Sequence, residues 1–164
     1  MSEYRIGTGW DSHVFVAGRP LWLGGQRLEH PSGLAGHSDG DVLLHAICDA
    51  LLGAIAAGDI GSHFSSSDPR WRDAASSQFV RHALGLTQQA GWSIVNLDAN
   101  LILDHPRLEP IRAQLRGSVA ALLDIAEERV SLKAKTPEGL ATADAAIAQV
   151  TILLQRIAIP SVID

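Results

Sequence analysis

Asp11, His13 and His45 are the residues of this sequence best suited to hold a catalytic metal ion. Asp11-Ser12-His13 falls at the end of a predicted first strand, and residues two apart project from the same face of extended backbone. His45 adds a second imidazole from one turn inside a predicted helix. Two histidines and one carboxylate are the protein ligands of a catalytic zinc whose fourth position stays open.

His45 also has a purely structural interpretation. Asp41 and Asp49 lie four residues before and after it, on the same face of the helix. Either acid could accept a hydrogen bond from the ring nitrogen that does not bind metal. The alternative is a buried histidine that one of these acids satisfies and that binds nothing.

Two further segments could contact phosphate. His37-Ser38 precedes the predicted helix, whose N-terminal N–H groups and partial positive charge favour anions; Ser38 could instead serve only as a cap, and both roles could coexist. Residues 133–138 (Lys-Ala-Lys-Thr-Pro-Glu) leave a predicted strand and contain the only two lysines. Thr136 offers a hydroxyl, and Glu138 offers oxygen ligands for a hard cation such as Mg²⁺. The alternative for this segment is a solvated strand end.

The elements that position these residues predict an α+β fold, with one mixed sheet and helices on one face. We expect a single domain over residues 1–164. A capping-box pattern from Ser38 to Asp41 predicts the start of the first helix. Strands are predicted at 4–15, 92–103, 130–135 and 147–154, a hairpin at 20–29, helices at 38–57, 73–90 and from Pro106 to Asp124, and an exposed loop at 59–72.

The longest predicted internal strand alternates in polarity. Val95, Leu97, Ala99, Leu101 and Leu103 fall on one face, which we expect to be buried. The opposite face carries the polar residues at positions 96, 98 and 100. Subunits could pack around that face and leave a central cavity, or it could simply meet solvent.

Composition excludes several classes of function. The chain has 13 basic and 18 acidic residues, a net charge of −5, so no basic field exists to attract nucleic acid. A lone cysteine, Cys48, excludes an intrachain disulfide and indicates a reducing compartment. The N-terminus shows no apolar signal core, and the most apolar stretch, 50–57, is too short to span a bilayer. These features predict a cytoplasmic protein without a membrane partner.

The sequence closely resembles the 2-C-methyl-D-erythritol 2,4-cyclodiphosphate synthase family, the cyclases of the non-mevalonate isoprenoid pathway. The resemblance extends along essentially the whole chain, and its most specific part is the block from His37 to His45 (His-Ser-Asp-Gly-Asp-Val-Leu-Leu-His) with Asp11-x-His13 upstream. It implies a homotrimer around a central cavity, with active sites between subunits. The implied reaction is an attack of the substrate's 2-phosphate on its own β-phosphorus, which expels CMP.

The resemblance also implies roles for individual residues. Asp11, His13 and His45 would hold zinc or another divalent transition metal, and Glu138 would bind a second ion, Mg²⁺ or Mn²⁺. Catalytic roles are implied for Thr136, His37 and Glu138. The implied substrate-binding residues are His37, Ser38, Asp59, Gly61, Ser66, Asp68, Pro106, Arg107, Ala134, Lys135 and Thr136.

Three segments depart from the family pattern, at 65–68, 103–107 and 141–146. Ser66 stands where the family carries a carboxylate for the methylerythritol hydroxyls, and Leu103 and His105 replace alanines beside the cytosine. In the family, the segment equivalent to residues 141–146 is glycine-rich and contains an arginine. This chain lacks that arginine, and Asp144 reverses the local charge. The alternatives to a working cyclase are a paralogue acting on another nucleotide diphosphate and a non-catalytic trimer that binds metal or ligand.

Overall fold

The computed structural model of the chain describes residues 3–139 and 144–157. Within them lie seven strands and four α-helices, joined by loops and short 3-10 turns. The strands are β1 Tyr4–Ala17, β2 Leu21–Leu23, β3 Gln26–Leu28, β4 Ser32–Leu34, β5 Trp92–Ile102, β6 Val130–Lys135 and β7 Ala145–Arg156. The helices are α1 Val42–Ala54, α2 Ile60–His63, α3 Ser77–Gln89 and α4 Arg112–Leu123.

Five strands form one mixed sheet in the order β4-β1-β7-β5-β6. Only β5 and β6 run parallel within it; the other neighbours are antiparallel. β2 and β3 form the predicted hairpin. The α+β class and the mixed sheet are therefore confirmed.

One face of the sheet packs against helices, and the other is bare. The core contains the helix-facing side chains of β5, β6 and β7 together with apolar side chains of α1, α3 and α4, while β1 contributes two buried glycines to this face. On the opposite face of β1, Ile6, Trp10 and Val14 are exposed by 57–68%. The predicted polar side of β5 lies on this bare face, which is confirmed for Asn96 and Asp98.

Helix α1 lies unusually close to β1, because β1 has two glycines where they meet. A Cβ on Gly9 would stand 1.9 Å from the carbonyl oxygen of Ala46, and one on Gly7 would stand 1.9 Å from that of Ala50. No other residue type fits here without movement of the helix. The helix backbone therefore rests directly on the strand that carries Asp11 and His13.

Several predicted boundaries are wrong. Helix α1 begins at Val42, not Ser38, because the Asp41 side chain caps it by accepting from the N–H of Leu44. The predicted loop at 59–72 contains α2 and a 3-10 turn at Pro69–Trp71. Helix α3 starts at Ser77, later than predicted, because the preceding residues hydrogen-bond to the segment before α1.

Strand β5 also differs from its predicted pattern. A bulge between Ile94 and Asn96 shifts the register, so Ile94 faces the core and Val95 is only half-buried. A strict two-residue alternation cannot anticipate the extra residue of a bulge. Of the divergent segment 141–146, residues 141–143 lie outside the described part of the chain. In the residues described, no helix has the length and apolar character needed to cross a membrane.

Candidate active site

Asp11, His13 and His45 converge on one point between β1 and α1. The Oδ2 atom of Asp11 lies 2.9 Å from Nε2 of His13 and 2.9 Å from Nδ1 of His45. The two imidazole nitrogens are 3.0 Å apart. The predicted ligand set is thus assembled and forms a possible metal site.

The chemistry of these three atoms fits a small cation. All three are lone-pair donors when the imidazoles are neutral and unprotonated on these atoms, and a cation between them would turn mutual repulsion into attraction. Zinc ligands at about 2.0–2.1 Å in tetrahedral geometry stand roughly 3.3 Å apart. The observed spacing is slightly tighter than this, and the three residues would supply three ligands to such an ion.

The environment of Asp11 favours its ionised form. Burial alone would raise the pKa of its carboxyl group, but hydrogen bonds and charge interactions with His13 and His45 outweigh burial and hold the pKa well below its usual range. Asp11 is therefore ready to bind a cation at neutral pH.

The second nitrogen of His45 does not meet the predicted acids. Its Nε2 lies 3.0 Å from Oγ of Ser38 and 2.8 Å from Oγ of Ser76. Asp41 instead accepts from backbone N–H groups of the β2–β3 turn and of α1, and Asp49 accepts from the N–H of Ile60. The prediction that Asp41 or Asp49 orients His45 is wrong, because these side chains already serve the backbone.

A cleft of about 330 Å³ opens beside the three ligands. We call it the metal cleft. It brings together seven of the predicted site residues and adds apolar walls from α2, α3 and the loop between them. The predicted residues are Asp11, His13, His37, Ser38, His45, Gly61 and Ser66, and the apolar residues are Ile60, Phe64, Trp71 and Phe79.

Ser38, one of these residues, could have served only as the cap of the first helix, but it does not cap α1. It lies three residues before the cap, Asp41, and its hydroxyl faces His45. The helix N-terminal N–H of Leu44 is already occupied by Asp41. The expected anion site formed by the helix end at His37-Ser38 is therefore not supported by the geometry of α1.

Asp59 and Asp68 lie beside the metal cleft rather than on its lining. Asp59 caps α2 through the N–H and hydroxyl of Ser62, which lower the pKa of its carboxyl group. Asp68 caps the following 3-10 turn and pairs with Arg70 at 2.6 Å, which lowers its pKa as well. Both carboxylates are thus ionised and fixed at the rim.

The remaining predicted residues lie in a second cleft of about 190 Å³. It contains all of the predicted residues Pro106, Arg107, Ala134, Lys135 and Thr136 and lies at the ends of β5 and β6. Thr136 donates its hydroxyl proton to Glu138, which lies just beyond. We call this region the second cleft.

The two clefts are well separated within one chain. Asp11 pairs with Ala148 on β7, Ala148 with Leu101 on β5, and Leu101 with Ala134 on β6. Three interstrand steps of about 4.8 Å place Asp11 and Ala134 roughly 14 Å apart. Glu138, four residues beyond Ala134, is not among the described residues whose ligand atoms meet at Asp11, His13 and His45.

The divergent residues near the second cleft differ in position. Leu103 is buried and lines the cleft, as expected of a residue that crowds it. His105 is exposed and borders a different hollow, together with Phe15, His30 and Asp144. His105 therefore does not line the same cleft as Leu103.

Sequence reasoning missed Ser76, Trp71 and Phe79. Ser76 falls inside the helix predicted at 73–90, yet in the structure it precedes α3, and its side chain makes no capping bond and contacts His45 instead. The aromatic residues carry no motif of their own. Only the tertiary contact between α1 and α3 places them beside the ligands.

Comparisons with known proteins identify the family of the chain. The model of the YgbB family matches residues 4–155. A 2-C-methyl-D-erythritol 2,4-cyclodiphosphate synthase from Koribacter versatilis is 50% identical over 152 residues, which are 93% of this chain and 98% of the relative. A synthase from Xanthomonas axonopodis pv. citri is 47% identical over 161 residues, 96% of this chain and 97% of the relative.

Solved structures show the same relationship. A 2C-methyl-D-erythritol-2,4-cyclodiphosphate synthase superposes with a TM-score of 0.87 at 45% identity, over 92% of this chain and 99% of the other. A CDP-bound form of such a synthase gives a TM-score of 0.87 at 43% identity, with the same coverage. The chain therefore belongs to the YgbB family, the family of the 2-C-methyl-D-erythritol 2,4-cyclodiphosphate synthases.

Proposed function

We propose that this chain cyclises 4-diphosphocytidyl-2-C-methyl-D-erythritol 2-phosphate to 2-C-methyl-D-erythritol 2,4-cyclodiphosphate and releases CMP. The observation that carries the proposal is the convergence of Asp11, His13 and His45 at 2.9–3.0 Å inside a cleft. Family membership supports the choice of substrate.

The reaction needs placement and charge neutralisation more than proton transfer. An oxygen of the 2-phosphate attacks the β-phosphorus, a new P–O bond forms, and the bond from the β-phosphorus to the bridging oxygen breaks. CMP leaves with the electrons of that bond. The attacking phosphate is already an anion, so no strong base is required, and holding both groups in place is worth roughly 7–11 kcal/mol of barrier.

We assign the methylerythritol and diphosphate end to the metal cleft. Asp11, His13 and His45 would hold zinc or another divalent transition metal, which when bound supplies Lewis-acid stabilisation of a phosphoryl oxygen. His37 and Ser38 would contact phosphate. The sugar-alcohol hydroxyls would meet the rim and floor of the cleft, at Asp59, Gly61, Ser66 and Asp68.

We assign the nucleotide end to the second cleft. Pro106, Arg107 and Ala134 would bound the base and ribose, and Lys135 and Thr136 would hold phosphate. The carboxylate of Glu138 would bind a second hard cation, Mg²⁺ or Mn²⁺. Thr136 donates to Glu138 in this structure, and their proximity supports a joint role at one phosphate.

We propose a homotrimer in which each active site combines the metal cleft of one chain with the second cleft of a neighbouring copy. The distance of roughly 14 Å between the clefts supports a site completed by a neighbouring subunit. The bare sheet face supports close packing, because Ile6, Trp10 and Val14 are exposed by more than half and exposed apolar patches mark interaction sites. The single domain and the cytoplasmic location stay predictions.

The first test is an assay of CMP release with Zn²⁺ and Mg²⁺, read by mass spectrometry. We expect one CMP and one cyclodiphosphate per substrate consumed. Turnover of another nucleotide diphosphate alone would select a paralogue, which the serine at position 66 in the metal cleft favours as a second candidate. Metal binding without any turnover would select the non-catalytic trimer.

The second test asks whether one site uses two chains. His45→Ala and Glu138→Gln variants, each inactive alone, are co-expressed in equal amounts with different tags. If sites form between neighbours, about a quarter of them combine an intact metal cleft with an intact second cleft, and activity should return to about that level. No recovery in verified mixed oligomers would contradict shared sites.

A further inference from the structure

We infer that Ser76 and Asp39 are positioning residues that hold His45 with its Nδ1 lone pair directed at the metal site. They act through a hydrogen-bonded relay from Asp39 to Ser76 to His45. The inference rests on the metal site of the proposed function and concerns residues that are not themselves ligands.

The relay is short, and Ser76, its middle member, is buried. Nε2 of His45 lies 2.8 Å from Oγ of Ser76, and Ser76 has no exposed surface. The Ser76 hydroxyl donates to Oδ1 of Asp39, while its backbone N–H donates to Oδ2 of the same carboxylate at 2.9 Å. Asp39 thus holds both the hydroxyl proton and the backbone of Ser76.

The direction of the protons follows from these contacts. An ionised carboxylate only accepts hydrogen bonds, so the Ser76 proton must point to Asp39. The lone pairs of Oγ are then left for an N–H donor, and the nearest is Nε2 of His45. A neutral imidazole that carries its proton on Nε2 has a bare Nδ1, and that atom faces Asp11 and His13.

Ser38 provides a comparison within the same site. Its hydroxyl is also 3.0 Å from Nε2 of His45, but its other contacts are Oγ of Ser76 at 3.4 Å and the N–H of Gly40 at 3.3 Å. None of these contacts is a carboxylate that would fix its proton. Ser38 therefore keeps a proton for substrate, and Ser76 sets the tautomer.

Backbone hydrogen bonds hold the relay in place. The N–H of Asp39 donates to the carbonyl of Ala74 at 3.0 Å, and the N–H of Asp73 donates to the carbonyl of His37 at 2.7 Å. These bonds join the segment before α1 to the segment before α3. The Ser76 hydroxyl makes no capping bond to α3, so its geometry is committed to the relay.

The test measures zinc affinity by competition with a chromophoric chelator. Ser76→Ala should weaken zinc binding by about 10- to 100-fold, the usual loss when a partner of a metal-bound histidine is removed. Ser76→Thr, which retains a hydroxyl, should recover most of the affinity. Ser118→Ala is the matched control, because its hydroxyl bonds to the carbonyl of Gly24 far from the ligands; its zinc affinity should stay within twofold of wild type.

A double-mutant cycle tests the order of the relay. Asp39→Asn should also weaken zinc binding, because its amide group would donate to the Ser76 hydroxyl and reverse the proton direction. If Asp39 acts through Ser76, adding Asp39→Asn to Ser76→Ala should cost little more than Ser76→Ala alone. Fully additive losses would overturn the relay, even with both single variants impaired.

Nuclear magnetic resonance of the zinc-loaded protein gives a readout that folding alone does not move. The Nε2 proton of His45 should exchange slowly with solvent in wild type and faster in Ser76→Ala. An affinity of Ser76→Ala within twofold of wild type would overturn the relay and leave the metal site intact. A wild-type chain that binds no zinc would overturn the metal site and the relay together.

Discussion

The metal cleft and the second cleft differ in how firmly one chain builds them. In the metal cleft, the three ligand atoms lie within 3.0 Å of one another, and His45 also contacts two buried serines. In the second cleft, Lys135, Thr136 and Glu138 are all exposed, and the one side-chain bond among them joins Thr136 to Glu138. One half of the site is therefore preorganised within a chain, while the other is an open surface that a neighbouring subunit would complete.

The largest expected effect breaks the preorganised half. His45→Ala removes one ligand, so zinc should be lost, and CMP release should fall by at least about 1,000-fold because several kcal/mol of charge stabilisation is removed. Zinc content by elemental analysis and CMP formation by mass spectrometry check this. Wild-type zinc content in a folded variant would refute the ligand assignment.

A smaller effect is expected from the open half. Glu138→Gln keeps the shape of the side chain but removes its charge, and we expect CMP release to fall by about 100-fold, as when one charge-stabilising group is lost. Zinc content should be unchanged, since Glu138 is remote from the ligands. Excess Mg²⁺ should restore part of the activity, whereas an equal loss of both metals would contradict separate roles for the two clefts.

A substitution in the loop that contains the serines at 65–67 should raise the affinity for substrate rather than lower it. Ser66 lines the metal cleft, and a carboxylate there would make charge-assisted hydrogen bonds to hydroxyl groups, about twice as strong as neutral ones. Ser66→Asp should therefore lower the Kd for the cytidine substrate by about tenfold. Ser67→Asp, one residue further along the loop and outside that lining, is the control. A weaker affinity in Ser66→Asp would show that the cleft fits a different substrate.

The smallest effect concerns the strand that carries the second cleft. Lys133 donates to Asp98 at 2.6 Å, and this bond lowers the pKa of the Asp98 carboxyl group. Because the folded pKa lies below the unfolded value of 3.8, the bond stabilises the protein above that pH, and the benefit disappears as the pH falls through the folded pKa.

Both side chains are partly exposed, so we expect Asp98→Asn to lower the free energy of unfolding by less than about 1 kcal/mol at pH 7. Urea denaturation at pH 7 and at pH 2.5 measures the difference. A loss of the same size at both pH values would show that the ion pair is not its cause. A much larger loss at pH 7 would indicate that a neighbouring subunit covers this part of the sheet.

Secondary-structure elements and candidate site residues were predicted well from the sequence wherever a local pattern determines them. The strands β1, β6 and β7 and the hairpin at Gly24-Gly25 depend on local patterns and were predicted close to their observed positions. The three candidate metal ligands converge as predicted, because Asp11 and His13 share one face of a strand and His45 faces them from the helix packed on it. The resemblance to the synthase family is confirmed by relatives that are 47–50% identical.

The remaining features depend on contacts between distant segments. Asp41 matches the requirements of a partner for His45, yet two turn N–H groups, from Gly24 and Gly25, compete for it. The bulge at Val95 adds one residue that no alternation rule contains. Ser76 and His45 are 31 positions apart in the chain and meet only because α3 packs on α1. No spacing rule within the sequence covers such an interval.

The presence of all three ligands in a related sequence does not by itself indicate a metal site, because the site also depends on Gly9. A methyl group there would act as a wedge between β1 and α1, since its nearest neighbour would be a backbone oxygen at 1.9 Å that cannot rotate away. His45 travels with the helix and Asp11 with the strand, so lifting one from the other would pull the ligands apart while every ligand stays in the sequence. The affinity of this site for a metal ion therefore depends partly on Gly7 and Gly9, the two positions where β1 has no side chain facing α1.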